Sequence, residues 1–76
     1  EAFEIFPIPS KGNFMLDVNT LDRQVKIIIY KLDGSLVYDT TADNGENFIS
    51  LDLDKGAYFI KMVTRESTSQ KTLIIN

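Results

Sequence analysis

The sequence predicts an all-β domain, a seven-stranded antiparallel immunoglobulin-like β-sandwich. Three observations predict it. Apolar residues recur at every second position in several short runs, the period of a half-buried strand. Turn signals built on Gly, Asp and Asn separate these runs at intervals near ten residues, as in sandwiches and small barrels. No window places apolar residues at i, i+3, i+4 and i+7 behind a capping residue, so no helix is expected.

The elements follow in order. Pro7 and Pro9 each bias the preceding residue away from helix, so the first segment is expected to be extended. Lys11-Gly12-Asn13 reads as a turn. Phe14, Leu16 and Val18 then alternate with Met15, Asp17 and Asn19. Val25, Ile27 and Ile29 alternate with Lys26, Ile28 and Tyr30 in a stretch that is apolar on both faces, which places that strand centrally in its sheet. Asp33-Gly34 predicts a two-residue hairpin turn, both residues tolerating positive φ. Asp43-Asn44-Gly45 is a second turn, and Ile49, Leu51 and Leu53 form the next alternating run. Asp54-Lys55-Gly56 is a third turn, before a strand with Tyr58, Ile60 and Met62 on one face. Arg65 to Ser69 is a polar loop, and Leu73 to Ile75 belong to the last strand.

Composition bounds the function. A 76-residue chain is one domain with a thin core. With no Cys it has neither a disulfide nor a thiolate site, and with no His it lacks the commonest metal ligand and general base. Its eight Lys and Arg are dispersed singly in a chain of net charge −3, so nucleic acid is not an expected partner. Apolar runs such as Ile27 to Ile29 are too short to cross a bilayer. The chain begins at Glu1 and shows no signal peptide, which reads as a domain cut from a longer protein.

A search for chemistry finds no nucleophile with a base to activate it, so no catalytic residue, cofactor or metal is expected and the domain is not expected to be an enzyme. Asp43-Asn44-Gly45-Glu46-Asn47 offers oxygen ligands for calcium, but the EF-hand spacing is missing and turn conformation accounts for the residues. Most aromatics fall at core-facing parity. Tyr38 and Phe59 have the opposite parity and are the candidates for a sugar-stacking platform.

Several features stand in a fixed order: Phe6-Pro7-Ile8-Pro9, then Gly12 and Phe14; Val25-x-Ile27-x-Ile29-Tyr30 leading to Asp33-Gly34; Leu53-x-x-Gly56-x-Tyr58; and Lys71-x-Leu73-Ile74-Ile75. In this order they resemble the C-terminal sorting domain (type A) of cargo proteins of the Bacteroidetes type IX secretion system. The resemblance covers residues 5–76, leaving residues 1–4 as the end of a linker from an upstream cargo domain. Two departures stand out: Phe6 and Ile8 replace the family's Tyr and Asn around Pro7, and the chain ends on Asn76 without a terminal Lys pair.

The resemblance implies a signal that directs cargo from the periplasm across the outer membrane to the cell surface or medium. It implies that a surface sortase-like peptidase removes the domain and that the cargo is commonly joined to lipopolysaccharide. Lys71, Leu73, Ile74 and Ile75 are then the residues expected to be read by the secretion machinery. Pro7, Pro9, Gly12, Gly34, Leu53, Gly56 and Tyr58 are motif residues serving as scaffold or as contacts. Homodimerisation through an edge strand is a further expectation for a small domain without disulfides. The alternative reading is an accessory carbohydrate-binding or adhesive sandwich of an extracellular enzyme.

Overall fold

A computed structural model describes residues 2–76. It contains seven antiparallel strands and no helix among these residues: β1 (Ala2–Phe6), β2 (Asn13–Asn19), β3 (Gln24–Lys31), β4 (Leu36–Asp43), β5 (Gly45–Ser50), β6 (Gly56–Val63) and β7 (Thr68–Ile75). They form a three-stranded sheet in the order β1-β2-β5 and a four-stranded sheet in the order β4-β3-β6-β7. This is the predicted immunoglobulin-like sandwich, in the variant where the fourth strand pairs with the third instead of extending the first sheet. β3 occupies the expected central position, and its two-faced apolar run is what a central strand needs.

The inner faces carry the core. Phe3, Ile5, Phe14, Leu16, Val18 and Ile49 come from the smaller sheet, and Val25, Ile27, Ile29, Ile60, Met62, Leu73 and Ile75 from the larger. Alternation along each strand puts one residue in and the next out, so burial follows directly from the period of two.

Four local expectations are corrected. Residues 2–4, expected to be linker, pair with β2 from Ala2 opposite Asn19, so Pro7 and Pro9 follow the first strand. Phe3 and Ile5 point inward there, and the prolines end the ladder because they have no N–H to donate. The run through Leu51 and Leu53 leaves the sheet after Ser50: both side chains still pack on the core, but the chain is crossing to the other sheet. The last strand begins at Thr68, inside the expected loop, because Thr68 to Gln70 pair with Lys61 to Val63.

The β3–β4 turn is the fourth correction. Lys31 and Ser35 are joined by a bond from the Lys31 N–H to the Ser35 carbonyl (2.9 Å), leaving three residues in the loop. The Gly34 N–H donates to the Lys31 carbonyl at 2.9 Å, and Gly34 alone takes positive φ, +92°. This is a type I turn followed by a left-handed Gly, the usual three-residue hairpin. Asp33 stays at negative φ, where its carboxylate accepts both the Ser35 N–H (2.9 Å) and the Ser35 hydroxyl (2.7 Å). Both bonds favour the charged form and hold this carboxyl below its ordinary value of 3.8.

The crossings between sheets are closed by side chains. The Asn44 amide pairs with the Thr20 backbone, accepting its N–H (3.0 Å) and donating to its carbonyl (2.8 Å). Asn47 pairs likewise with the Asp43 backbone, accepting the N–H at 3.1 Å and donating to the carbonyl at 2.8 Å. Each amide substitutes for a neighbouring strand where the chain turns from one sheet to the other. In the β1–β2 connection, Gly12 has φ +108°, and its carbonyl accepts the Leu51 N–H at 2.8 Å.

A Cβ at Gly12 would lie 2.2 Å from the Leu51 carbonyl oxygen, whereas one at Gly34 meets nothing within 4 Å. Gly12→Ala is therefore expected to lower stability by about 3 kcal/mol or more, and Gly34→Ala by about 1–2 kcal/mol, measured by urea denaturation. Comparable losses would refute the role of the Leu51 contact. A depressed carboxyl stabilises above its unfolded pKa and loses that contribution as pH falls through the folded value. The Ser35 amide resonance should accordingly titrate with a midpoint below 3.8, and Asp33→Asn should abolish that step.

Candidate recognition surface

The residues expected to be read lie on β7, an edge strand. Its inner neighbour is β6, with Tyr58 opposite Leu73 and Ile60 opposite Lys71. Its outer edge is closed at one end only. The Ser10 N–H donates to the Ile74 carbonyl (2.9 Å) and the Asn76 N–H to the Ser10 carbonyl (2.8 Å), a parallel bridge from the β1–β2 connection. Since Ile74 and Asn76 direct their backbone groups outward, the same parity applies to Thr68, Gln70 and Thr72. Among the described residues no strand pairs with that stretch. Ser10 is itself buried and held by its hydroxyl, which accepts the Gly12 N–H and donates to the Asn13 carbonyl, both at 3.0 Å.

The four residues expected to be read divide by parity. Leu73 and Ile75 are core residues, 0% and 3% exposed, and the folded domain does not offer them to a partner. Ile74 points outward and is 36% exposed. Lys71 has inward parity but sits at the open side of the sandwich. Its ammonium emerges 5.7 Å from the centre of the buried Phe3 ring and 3.9 Å from the Glu4 carboxylate. The stem covers Phe3 while the charge stays in water, and the exposed ion pair adds little stability.

Beside β7 the outer face of the larger sheet is apolar and aromatic. Tyr30 and Phe59 lie opposite each other with ring centres 5.7 Å apart and planes tilted by 53°. The Lys61 ammonium is 5.3 Å from the Tyr30 ring centre, and the Tyr30 hydroxyl donates to the Gln70 side-chain oxygen. Ile28, Tyr30, Leu36 and Lys61 line a shallow cleft of about 250 Å³ on this face. Phe59 thus belongs to a half-buried aromatic pair on the outer face, but Tyr38 does not share it. Tyr38 lies opposite Ile29 with the same inward parity as Thr40 and Ala42 and packs on the core, and the register shift beyond it lets its neighbour Val37 pack there as well. Tyr30 is the partner that parity counting missed.

The motif residues prove to be corners. Tyr58 is 5% exposed near the start of β6, and its hydroxyl donates to the Asp54 carbonyl at 2.6 Å. Leu53 packs on the core just before, and Gly56 takes φ +149° between them. Leu53-x-x-Gly56-x-Tyr58 is therefore a tyrosine corner, the device that fixes the fifth-to-sixth strand crossing in immunoglobulin-like sandwiches. Gly12 and Gly34 serve turns, and Pro7 and Pro9 are exposed in the bend after β1. In the acidic turn, Asn44 and Asn47 direct their amide oxygens to backbone N–H groups, and no cluster of three metal-ligating side chains occurs among the described residues.

Fold, corner and terminal edge strand define a small immunoglobulin-like module. The sequence matches the family described as secretion system C-terminal sorting domain over residues 4–76. The chain belongs to that family, the C-terminal signals of type IX secretion, by which proteins cross the outer membrane. No curated protein matches the chain. No helix of the described residues is long and apolar enough to cross a membrane.

Replacing Tyr58 by Phe removes one hydrogen bond and keeps the ring in the core. The expected loss is about 1 kcal/mol in urea denaturation, while Leu53→Ala is expected to cost about 2 kcal/mol. An unchanged midpoint for Tyr58→Phe would show that the hydroxyl does not hold the corner.

Proposed function

We propose that the secretion machinery reads the folded domain along the outer edge of β7 and the adjoining face that carries Ile74, Phe59 and Tyr30. The observation that carries this reading is the half-closed edge. Ser10 anchors the C-terminal end of the strand, while the outward backbone groups of Thr68, Gln70 and Thr72 stay open to pairing. Strand addition at such an edge supplies main-chain hydrogen bonds, and neighbouring side chains supply selectivity. Ile74 and the Lys71 ammonium are the side-chain contacts; Leu73 and Ile75 act indirectly, by holding β7 on the core.

The domain serves as a passive address and not as an enzyme, a reading supported by its lack of His and Cys. It is carried behind an upstream cargo domain, passes through the periplasm folded, and is cut off by the surface peptidase in the segment before β1. Pairing of two copies through the same edge would compete with reading.

A reporter joined to the N-terminus of the domain, produced in a type IX-competent bacterium, tests the reading. Deleting Thr72 to Asn76 should stop export, but it also removes Leu73 and Ile75 from the core. The sharper variant is Thr72→Pro, which removes an outward N–H and leaves the ladder to β6 intact. Thr72→Pro and Ile74→Glu are expected to keep the thermal midpoint within a few degrees and to lower export at least about tenfold. Full export by both folded variants would sink the edge reading.

A further inference from the structure

The outer face of the smaller sheet carries a second surface, which meets β7 through the Lys71–Glu4 ion pair. Phe6, Met15 and Phe48 lie opposite one another across β1, β2 and β5. Phe6 is 45% and Phe48 68% exposed, an unusual disposition for two large aromatics in one row. The adjacent row, two residues along each strand, is Glu4, Asp17 and Glu46. Like charges directly opposite one another destabilise a sheet, so this row works against the fold that displays it. Its three carboxylates equal the whole excess of acidic over basic residues in the chain, 11 against 8. Among the described residues, one cation forms an ion pair with the row: Lys71, at its Glu4 end.

We infer that this face docks a basic amphipathic helix of a partner protein. The dimensions fit. Strands about 4.8 Å apart make the apolar row about 10 Å long, with the acidic row about 7 Å away. Helical side chains at i, i+3 or i+4, and i+7 advance by about 5 Å each over the same length, so one apolar stripe covers Phe6, Met15 and Phe48. Lys or Arg on the flank of that stripe then stands over Glu4, Asp17 and Glu46. The charge pattern selects against other occupants. An anionic lipid or lipopolysaccharide surface would be repelled, and a second copy of this face would bring together six carboxylates against two Lys71 ammonium groups.

The test is an NMR titration of the isotope-labelled 76-residue chain with two synthetic helical peptides sharing one leucine stripe, flanked in one by lysines and in the other by glutamates. The lysine peptide is expected to shift amides of β1, β2 and β5 saturably, with affinity falling at least about tenfold as salt rises from about 0.05 to about 0.5 M. Phe48→Ser, at an exposed site, should weaken it at least about tenfold, as should Asp17→Asn with Glu46→Gln. Equal binding of the glutamate peptide, shifts confined to the larger sheet, or no saturable shift would overturn the inference. So would dimers or anionic vesicles that protect this face. Export is not the readout, so the proposal stands or falls independently of the β7 reading.

Discussion

Two sheets that touch only through apolar side chains are free to slide, and this chain has no disulfide to stop them. The dispersive core gives adhesion without direction. Direction comes from a few hydrogen bonds at the seams. The Asn44 amide clasps Thr20, which joins the β2–β3 and β4–β5 crossings with one side chain. Leu51 bonds to Gly12, and Tyr58 to Asp54, across the route from β5 to β6. Ser10 binds the end of β7 to the β1–β2 connection. The crossings between the sheets are thus latched by polar groups of fixed geometry, which explains why Gly12 tolerates no side chain and why no buried side-chain polar atom lacks a partner among the described residues.

This latching changes what the ordered motifs mean. Residues that identify a family are easily taken for its contact residues. Here Leu53, Gly56 and Tyr58 build one corner, and Gly12 completes another. On the reading proposed for β7, they act by fixing where that strand lies. The surface proposed to be read lies outside these corners: Ile74, the Tyr30–Phe59 pair and the open edge beside them.

The strands were legible because burial here obeys a period of two almost throughout. Where the local pattern misled, long-range pairing was the cause. Phe3 and Ile5 show the same alternation as the later strands, but Pro7 and Pro9 drew that segment into an extended lead-in, and nothing local announces a partner at Asn19. Leu51 and Leu53 continue the alternation after the ladder has ended, since core contact survives a crossing that backbone pairing does not. Asp33-Gly34 carries the signal of the tighter turn, yet the bonds from Ser35 keep Asp33 in the ordinary region and enlarge the loop by one residue. Counting from Val37 turns Tyr38 outward, yet its place opposite Ile29 gives it the inward parity of Ala42, and only the register shift beyond it, which the pairing with β3 reveals, lets the adjacent Val37 face the core too.

The terminal strand must satisfy two demands that oppose each other. Leu73 and Ile75 are among the best-buried residues, so β7 cannot leave without opening the core. An edge strand with unpaired backbone is also an invitation to indiscriminate pairing. The structure separates the demands by parity. Inward positions hold the strand, outward positions face any reader, and Ser10 shortens the open stretch to the segment before Ile74. On the proposed reading, the folded domain presents the signal and no unfolding is needed to read it. Selectivity on that reading rests on what flanks the short edge, the aromatic pair on one side and the Lys71 ammonium on the other.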